Sequence, residues 1–159
     1  MYSLILGPLV WRIHNWVVFM YGQTASNGVA VMSCLAERSG KSAGSGEIAE
    51  ARGISCALAA KLLTRLAAGG LVSGRPGPGG GYTLSKPAKD IRLIDIVSLF
   101  GKVEPPSVCP FGHGWCGRGD PCPLHDELMA ILERDRKFLE GTRLSVFVPP
   151  KSKRHGRRG

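Results

Sequence analysis

Apolar residues recur along this chain at two spacings, the three-to-four-residue step of helices and the alternation of short strands, and the switches between them outline its elements. Val31, Cys34 and Leu35 follow the i, i+3, i+4 pattern and predict a core-facing helix over residues 26–38. A Gly/Ser/Lys loop over 39–46 leads to one short helix, residues 47–52, which Gly53 stops. Ser55 is a natural N-cap for a longer helix reaching about Ala68, with Leu58, Leu62 and Leu66 on the buried stripe and Lys61 and Arg65 on another face. Two helices separated by so tight a turn read as a helix-turn-helix.

Gly69 and Gly70 end that helix, and residues 71–73 and 82–84 then read as two short strands joined by GRPGPGGG, residues 74–81. Such a hairpin is a wing. Its glycines, Gly77 and Gly79 among them, let the backbone approach a surface closely and take positive φ, while Arg75 is the one charge at its tip, suited to a narrow, electronegative minor groove. A flexible loop with no ligand is the bland alternative; its position directly after a helix-turn-helix favours contact with duplex DNA. Pro87 closes the second strand, and Leu93, Ile96, Val97 and Phe100 predict another amphipathic helix. From residue 125 to 141 the pattern is helical again, with Leu124, Leu128, Ile131, Leu132, Phe138 and Leu139 on one stripe and Glu133, Arg134, Arg136 and Lys137 outside it.

The fold expected is therefore mostly α with a small β-hairpin wing: a winged helix-turn-helix followed by a C-terminal helix. In such a fold the second helix of the pair enters the major groove by its N-terminal end, so Ser55, Cys56, Ala57 and Lys61 face base edges, and Arg65, farther along, suits a phosphate. Ser55, Cys56 and Ala57 are too small for bidentate readout. Specificity is then expected to lean on Lys61, the wing and DNA shape.

Length and charge narrow this picture. A chain of 159 residues allows one compact domain with an appended element. Residues 1–19, MYSLILGPLVWRIHNWVVF, are apolar but broken by Pro8, Arg12, His14 and Asn15, too short a run for a membrane span. No basic stretch precedes the apolar run and no convincing small-x-small cleavage site lies before Met20, which argues against a signal peptide; they read as a loose N-terminal extension or an upstream start, with the working protein beginning at Met20. The formal net charge is +9, but Lys151, Lys153, Arg154, Arg157 and Arg158 sit in the tail and Arg12 in the extension, leaving +3 for residues 20–148. The case for a polyanionic partner thus rests on where cations fall within the helices, and the tail reads equally as a solvated, disordered end.

The chemistry-bearing segment is CPFGHGWCGRGDPCPLH, residues 109–125, which gathers Cys109, Cys116, Cys122 and His125. Thiolates are soft ligands for iron-sulfur clusters, and interleaved Gly and Pro let a short loop wrap a compact group. Two alternatives stay open at this stage: a structural zinc site of three cysteines and one histidine, and a metal-free thiol switch. Five cysteines are an odd number, which argues against a disulfide framework; Cys34 and Cys56 lie on helices and read as passive, with a redox role for Cys56 the lesser option. No CxxC pair, nucleotide-binding glycine motif or Ser/His/Asp arrangement is evident, so an enzyme is not expected and a small redox protein is the weaker reading.

Four stretches, MYGQTASNGVAVMSCLAE, EIAEARGIS, KLLTRLAAGGLVSGRPGPGGGYTLSKP and IRLIDIVSLF, resemble the Rrf2 family of winged-helix transcriptional regulators, and the resemblance runs from about Met20 to Phe147. It implies a DNA-binding domain over residues 20–100, a cysteine-rich cluster or sensor loop over 101–125, a dimerisation helix over 126–147 and a basic tail over 148–159. It also implies a cytoplasmic homodimer that reads a pseudo-palindromic operator in double-stranded DNA. In the family the matching loop holds an iron-sulfur cluster, here 2Fe-2S in preference to 4Fe-4S, through three cysteines that correspond to Cys109, Cys116 and Cys122. The fourth ligand varies between branches. One branch uses a histidine three residues after the third cysteine, where His125 stands; another takes a carboxylate from the partner's first helix, where this chain has Asn27, a poor iron ligand. The interval from Cys109 to Cys116 is one residue longer than the family's usual spacing, and His113 inside it is a rival ligand.

Overall fold

A computed structural model of the chain describes residues 8–77, 79–101 and 121–149, with side-chain surroundings from Tyr21 onward. The first helix, α1 (Pro8–Glu37), begins well before residue 26, where the apolar period alone put its start. Pro8 suits a first helical position because its missing N–H would have no partner there. Gly22 then interrupts the helix at φ 83°, a left-handed conformation that glycine adopts without strain. Beyond that break every residue from Ala25 to Ala36 is buried, so this half of α1 is the axis of the core, with Val31, Cys34 and Leu35 inside as expected.

Helix α2 (Ser45–Arg52) ends at Gly53, whose φ of 63° turns the Ile54 N–H back to the Ala49 carbonyl at 3.0 Å. Its last side chain fastens it to α1. Arg52 Nε donates to the Ala30 carbonyl at 2.9 Å, and Nη2 lies 2.8 Å from Glu37 Oε2, out of line for a hydrogen bond. The guanidinium side is only 4% exposed and the carboxylate side 38%. Removing one partner of an ion pair hurts most when the survivor is the buried one, since water can solvate an exposed survivor. Glu37→Ala is therefore expected to cost about 3 kcal/mol, and Arg52→Met, which leaves Glu37 hydrated, roughly half of that. Urea unfolding checks the order; equal losses would mean that the pair is not what holds α2.

Helix α3 (Cys56–Ala68) is capped by Ser55, whose Oγ accepts the Leu58 N–H at 3.2 Å. Ala59, Leu62, Leu63 and Leu66 are buried while Leu58 is half-buried, so the inward stripe sits slightly off the expected line. Strands β1 (Val72–Arg75) and β2 (Gly81–Leu84) pair antiparallel, with Val72 opposite Leu84 and Arg75 opposite Gly81. Each strand is shifted or longer than the alternation suggested, and Arg75 is the last paired residue of β1 rather than part of the loop tip. The extra pairing follows from a third segment. Ala43 exchanges both backbone hydrogen bonds with Tyr82, at 3.0 and 2.8 Å, and Gly81 lies so close that a Cβ there would stand 2.8 Å from the Ala43 backbone.

A 3-10 turn, Ala88–Asp90, precedes α4 (Leu93–Val97), where Leu93, Ile96 and Val97 are buried and Phe100 is half-buried just beyond the end. Helix α5 (His125–Gly141) then returns the chain to this region, and Thr142 accepts the Leu93 N–H at 3.0 Å while Leu144 donates to Ile91 at 2.8 Å. A final 3-10 turn, Leu144–Phe147, adds Leu144 and Phe147 to the core. The single apolar stripe expected on α5 divides: Leu139 is fully buried, whereas Leu124, Ile131 and Phe138 are 49%, 46% and 38% exposed. Among the described residues no helix is long and apolar enough to cross a membrane.

Candidate functional site

The start of α3 and the wing flank one short stretch, Gly44–Ser45. Cys56 Sγ lies 3.9 Å from Ser45 Oγ, so the first residue of α3 meets the first residue of α2. Gly44, next in sequence, lines an open cleft of about 730 Å³ with Glu47, Arg75, Tyr82 and the wing glycines. Two structures far apart in the sequence thereby share one edge of the molecule. All the candidate contact residues on α3 (Ser55, Cys56, Ala57, Lys61 and Arg65) and on the wing (Arg75, Gly77 and Gly79) are exposed.

Their states differ. Ser55 Oγ is already used as a helix cap, which reduces its value as a base reader. Lys61 and Arg65, four residues apart, share a face of α3, and among the described residues neither they nor Arg75 form an ion pair. Arg65 instead rests over the Phe100 ring, its guanidinium carbon 5.6 Å from the ring centroid. Gly77 and Gly79 take φ of 94° and 73°, the left-handed backbone that their glycine identity anticipated.

Glu47 is a member of this edge that periodicity did not disclose. Its Oε2 accepts the Gly44 N–H at 2.7 Å, and Arg38 approaches Oε1 at 3.5 Å; the Gly44 hydrogen bond first, and Arg38 second, hold the carboxyl below the usual carboxylate range. A charged carboxylate in the wing cleft repels phosphate and so restricts how a polyanion can sit there. The capping position three residues into α2 was the available signal.

Of the candidate metal ligands, Cys122 and His125 fall within the described residues, while Cys109 and Cys116 lie outside them, as does His113. Cys122 and His125 are both half-buried and are drawn together by the turn that starts α5, where the His125 N–H donates to the Cys122 carbonyl at 2.9 Å. A thiolate and an imidazole so close in one turn suit adjacent ligation of a soft metal centre. Among the described residues no group of three or more His, Cys, Asp or Glu side chains assembles. Cys34 is enclosed in the α1 core, as a passive residue should be.

A buried polar pair also ties α5 to α1. The Tyr21 phenol donates to Asp135, a carboxylate buried in the middle of α5, and burial, reinforced by that carboxylate, pushes the Tyr21 phenol far above its ordinary range. Asp135 stands among exposed charges in the sequence, so its burial had no local signal.

Known proteins share this fold. Residues 21–150 match the Rrf2 family, described as an iron-dependent transcriptional regulator. The HTH-type transcriptional regulator IscR of Klebsiella pneumoniae strain 342 is 36% identical over 102 residues, which is 64% of this chain and 62% of that protein. The chain thus matches less than two thirds of the length of such relatives. Among solved structures, CymR, the global cysteine regulator of B. subtilis, superposes with a TM-score of 0.64 at 24% identity, covering 79% of this chain and 95% of its own. IscR of T. potens superposes at 0.61 with 22% identity, over 77% and 80% of the two chains. These likenesses identify the architecture as the winged-helix fold of such regulators.

Proposed function

Because the chain belongs to the Rrf2 family of transcriptional regulators, we propose that it is a homodimeric, cytoplasmic DNA-binding regulator whose hold on a pseudo-palindromic operator responds to its cysteine segment. In this reading residues 20–100 grip DNA, 101–125 sense, 126–147 pair two copies, and 148–159 form a basic tail. The observation that carries it is the shared edge around Gly44–Ser45, where the start of α3 and the wing stand exposed together with Lys61 and Arg75 free of ion pairs among the described residues. Helix α3 enters the major groove by its N-terminal end. Cys56, Ala57 and Lys61 then lie over base edges, Arg65 over a phosphate, and Arg75 with the Gly77 and Gly79 backbone follows the adjoining minor groove.

Cys109, Cys116, Cys122 and His125 would hold an iron-sulfur cluster, with the Cys122–His125 turn supporting that assignment. When bound, the cluster supplies a redox- and nitric-oxide-sensitive cross-link among these four residues. The chain's own residues connect that segment to the reader. Leu99 packs so tightly on Gly69, at the end of α3, that a Cβ there would lie 2.6 Å from it, and Phe100 sits on Gly28 of α1. At its far end the segment runs directly into α5. A change of ligation at the cysteine segment would therefore act on both α3 and the pairing helix. Two half-sites must be met at once, about 34–36 Å apart, so a small rotation of each subunit disturbs several contacts worth roughly 1–3 kcal/mol apiece.

Mobility shifts with genomic fragments test the reading. Lys61→Ala and Arg75→Ala are each expected to weaken binding about tenfold, the equivalent of about 1.4 kcal/mol, and to flatten its salt dependence. Undiminished affinity in both variants would remove the groove assignment.

A further inference from the structure

We propose that Phe100 is a positioning residue for DNA binding: its ring holds the Arg65 guanidinium on the outer face of α3, ready for a backbone phosphate. This rests on the reading of α3 as the groove helix. Arg65 follows Lys61 by four residues on the same exposed face, and among the described residues no carboxylate pairs with it. Its charge rests on the Phe100 ring, 5.6 Å away. A cation over an aromatic face is restrained without using its N–H donors in hydrogen bonds, so those donors stay available to phosphate oxygens. An arginine otherwise gives up much rotamer freedom when it orders on a ligand.

The ring can serve as a support because it is itself held. Phe100 donates its N–H to the Val97 carbonyl at 2.9 Å, and its ring lies directly on the α1 backbone at Gly28, where an added Cβ would collide with its edge, Cδ2 standing 2.8 Å away. Leu99, the preceding residue, is pressed onto Gly69 at the other end of α3 from the groove. The aromatic is thus held against α1 and its neighbour Leu99 against the end of α3, and the arginine rests on the aromatic.

Operator binding measured across a range of salt concentrations tests this with wild type, Arg65→Ala, Phe100→Leu, Phe100→Tyr, Gly28→Ala and the Phe100→Leu/Arg65→Ala pair. Arg65→Ala should lower the slope of log affinity against log salt by about 0.9, the value of one phosphate contact. Phe100→Leu should weaken binding about threefold, and Phe100→Tyr, which keeps the ring, should restore it. Gly28→Ala, which displaces the ring without touching Arg65, should reproduce the loss. The decisive comparison is the double variant, in which Phe100→Leu should add nothing once Arg65 is gone. An equal loss from Phe100→Leu in both backgrounds, or no effect of Arg65→Ala on the slope, would overturn the proposal. Phe100→Met, closer in volume, replaces Phe100→Leu if thermal melts show the latter unfolded. A wild-type protein that ignores duplex DNA at low salt would instead sink the function on which the proposal stands.

Discussion

Ile131→Glu is expected to leave the protein monomeric and to lower its affinity for duplex operator by at least about a hundredfold, since two half-site contacts of roughly 1–3 kcal/mol would be enough. Ile131 and Phe138 of α5, with Leu124 at its N-cap, are spaced seven residues apart, the period at which one face of a helix meets another along its length. All three are exposed, with Ile131 at the centre of the row. Each side chain of this size gains about 1.5–3 kcal/mol on full burial, and a twofold pair of helices buries every member twice. A carboxylate at the centre places two like charges in an apolar seam, and the two helices part. A monomer then meets one half-site alone. Leu139→Ala provides the contrast: Leu139 is fully buried within one chain, so its loss should unfold the subunit by about 2–5 kcal/mol rather than separate two of them. Sedimentation and mobility shift together read both effects, and a dimer that persists in Ile131→Glu would refute the pairing role of α5.

The second large effect is expected at Cys122. In protein purified without oxygen, Cys122→Ala should abolish visible absorbance together with bound iron and acid-labile sulfide, and should change operator affinity. A cluster held by three thiolates loses a ligand whose charge no neighbouring neutral group replaces. His125→Ala should be milder, shifting the spectrum and making the iron easier to remove, because a variable fourth position can be filled from solvent. Cys34→Ala should change neither, since that thiol is enclosed in α1. Colourless wild-type protein carrying stoichiometric zinc would replace the iron-sulfur reading with a structural site, and colourless metal-free protein with reversible thiol oxidation would replace it with a switch.

The parts of this architecture legible along the chain are those with local causes. Ser55 announces the start of α3 because a cap hydrogen bond spans three residues, and Gly53 announces the end of α2 because a left-handed turn needs a residue without Cβ. The hairpin was visible in its glycines, although the pairing of Arg75 with Gly81 was not, because that pairing depends on Ala43, nearly forty residues from Tyr82. Phe100 beneath Arg65 was hidden for the same reason.

By itself, the sequence determined the order of helices and hairpin, the helix that presents Lys61 and Arg65, and the thiol and imidazole chemistry around Cys122 and His125. Tertiary structure decided which of these features meet and which apolar surface stays open. The Tyr21–Asp135 hydrogen bond joins residues 114 apart, and Phe100 rests on Gly28, far earlier in the sequence. Periodicity specifies only that a helix has an apolar face. Whether that face is covered, as at Leu139, or left exposed, as at Ile131, depends on what the rest of the chain brings against it.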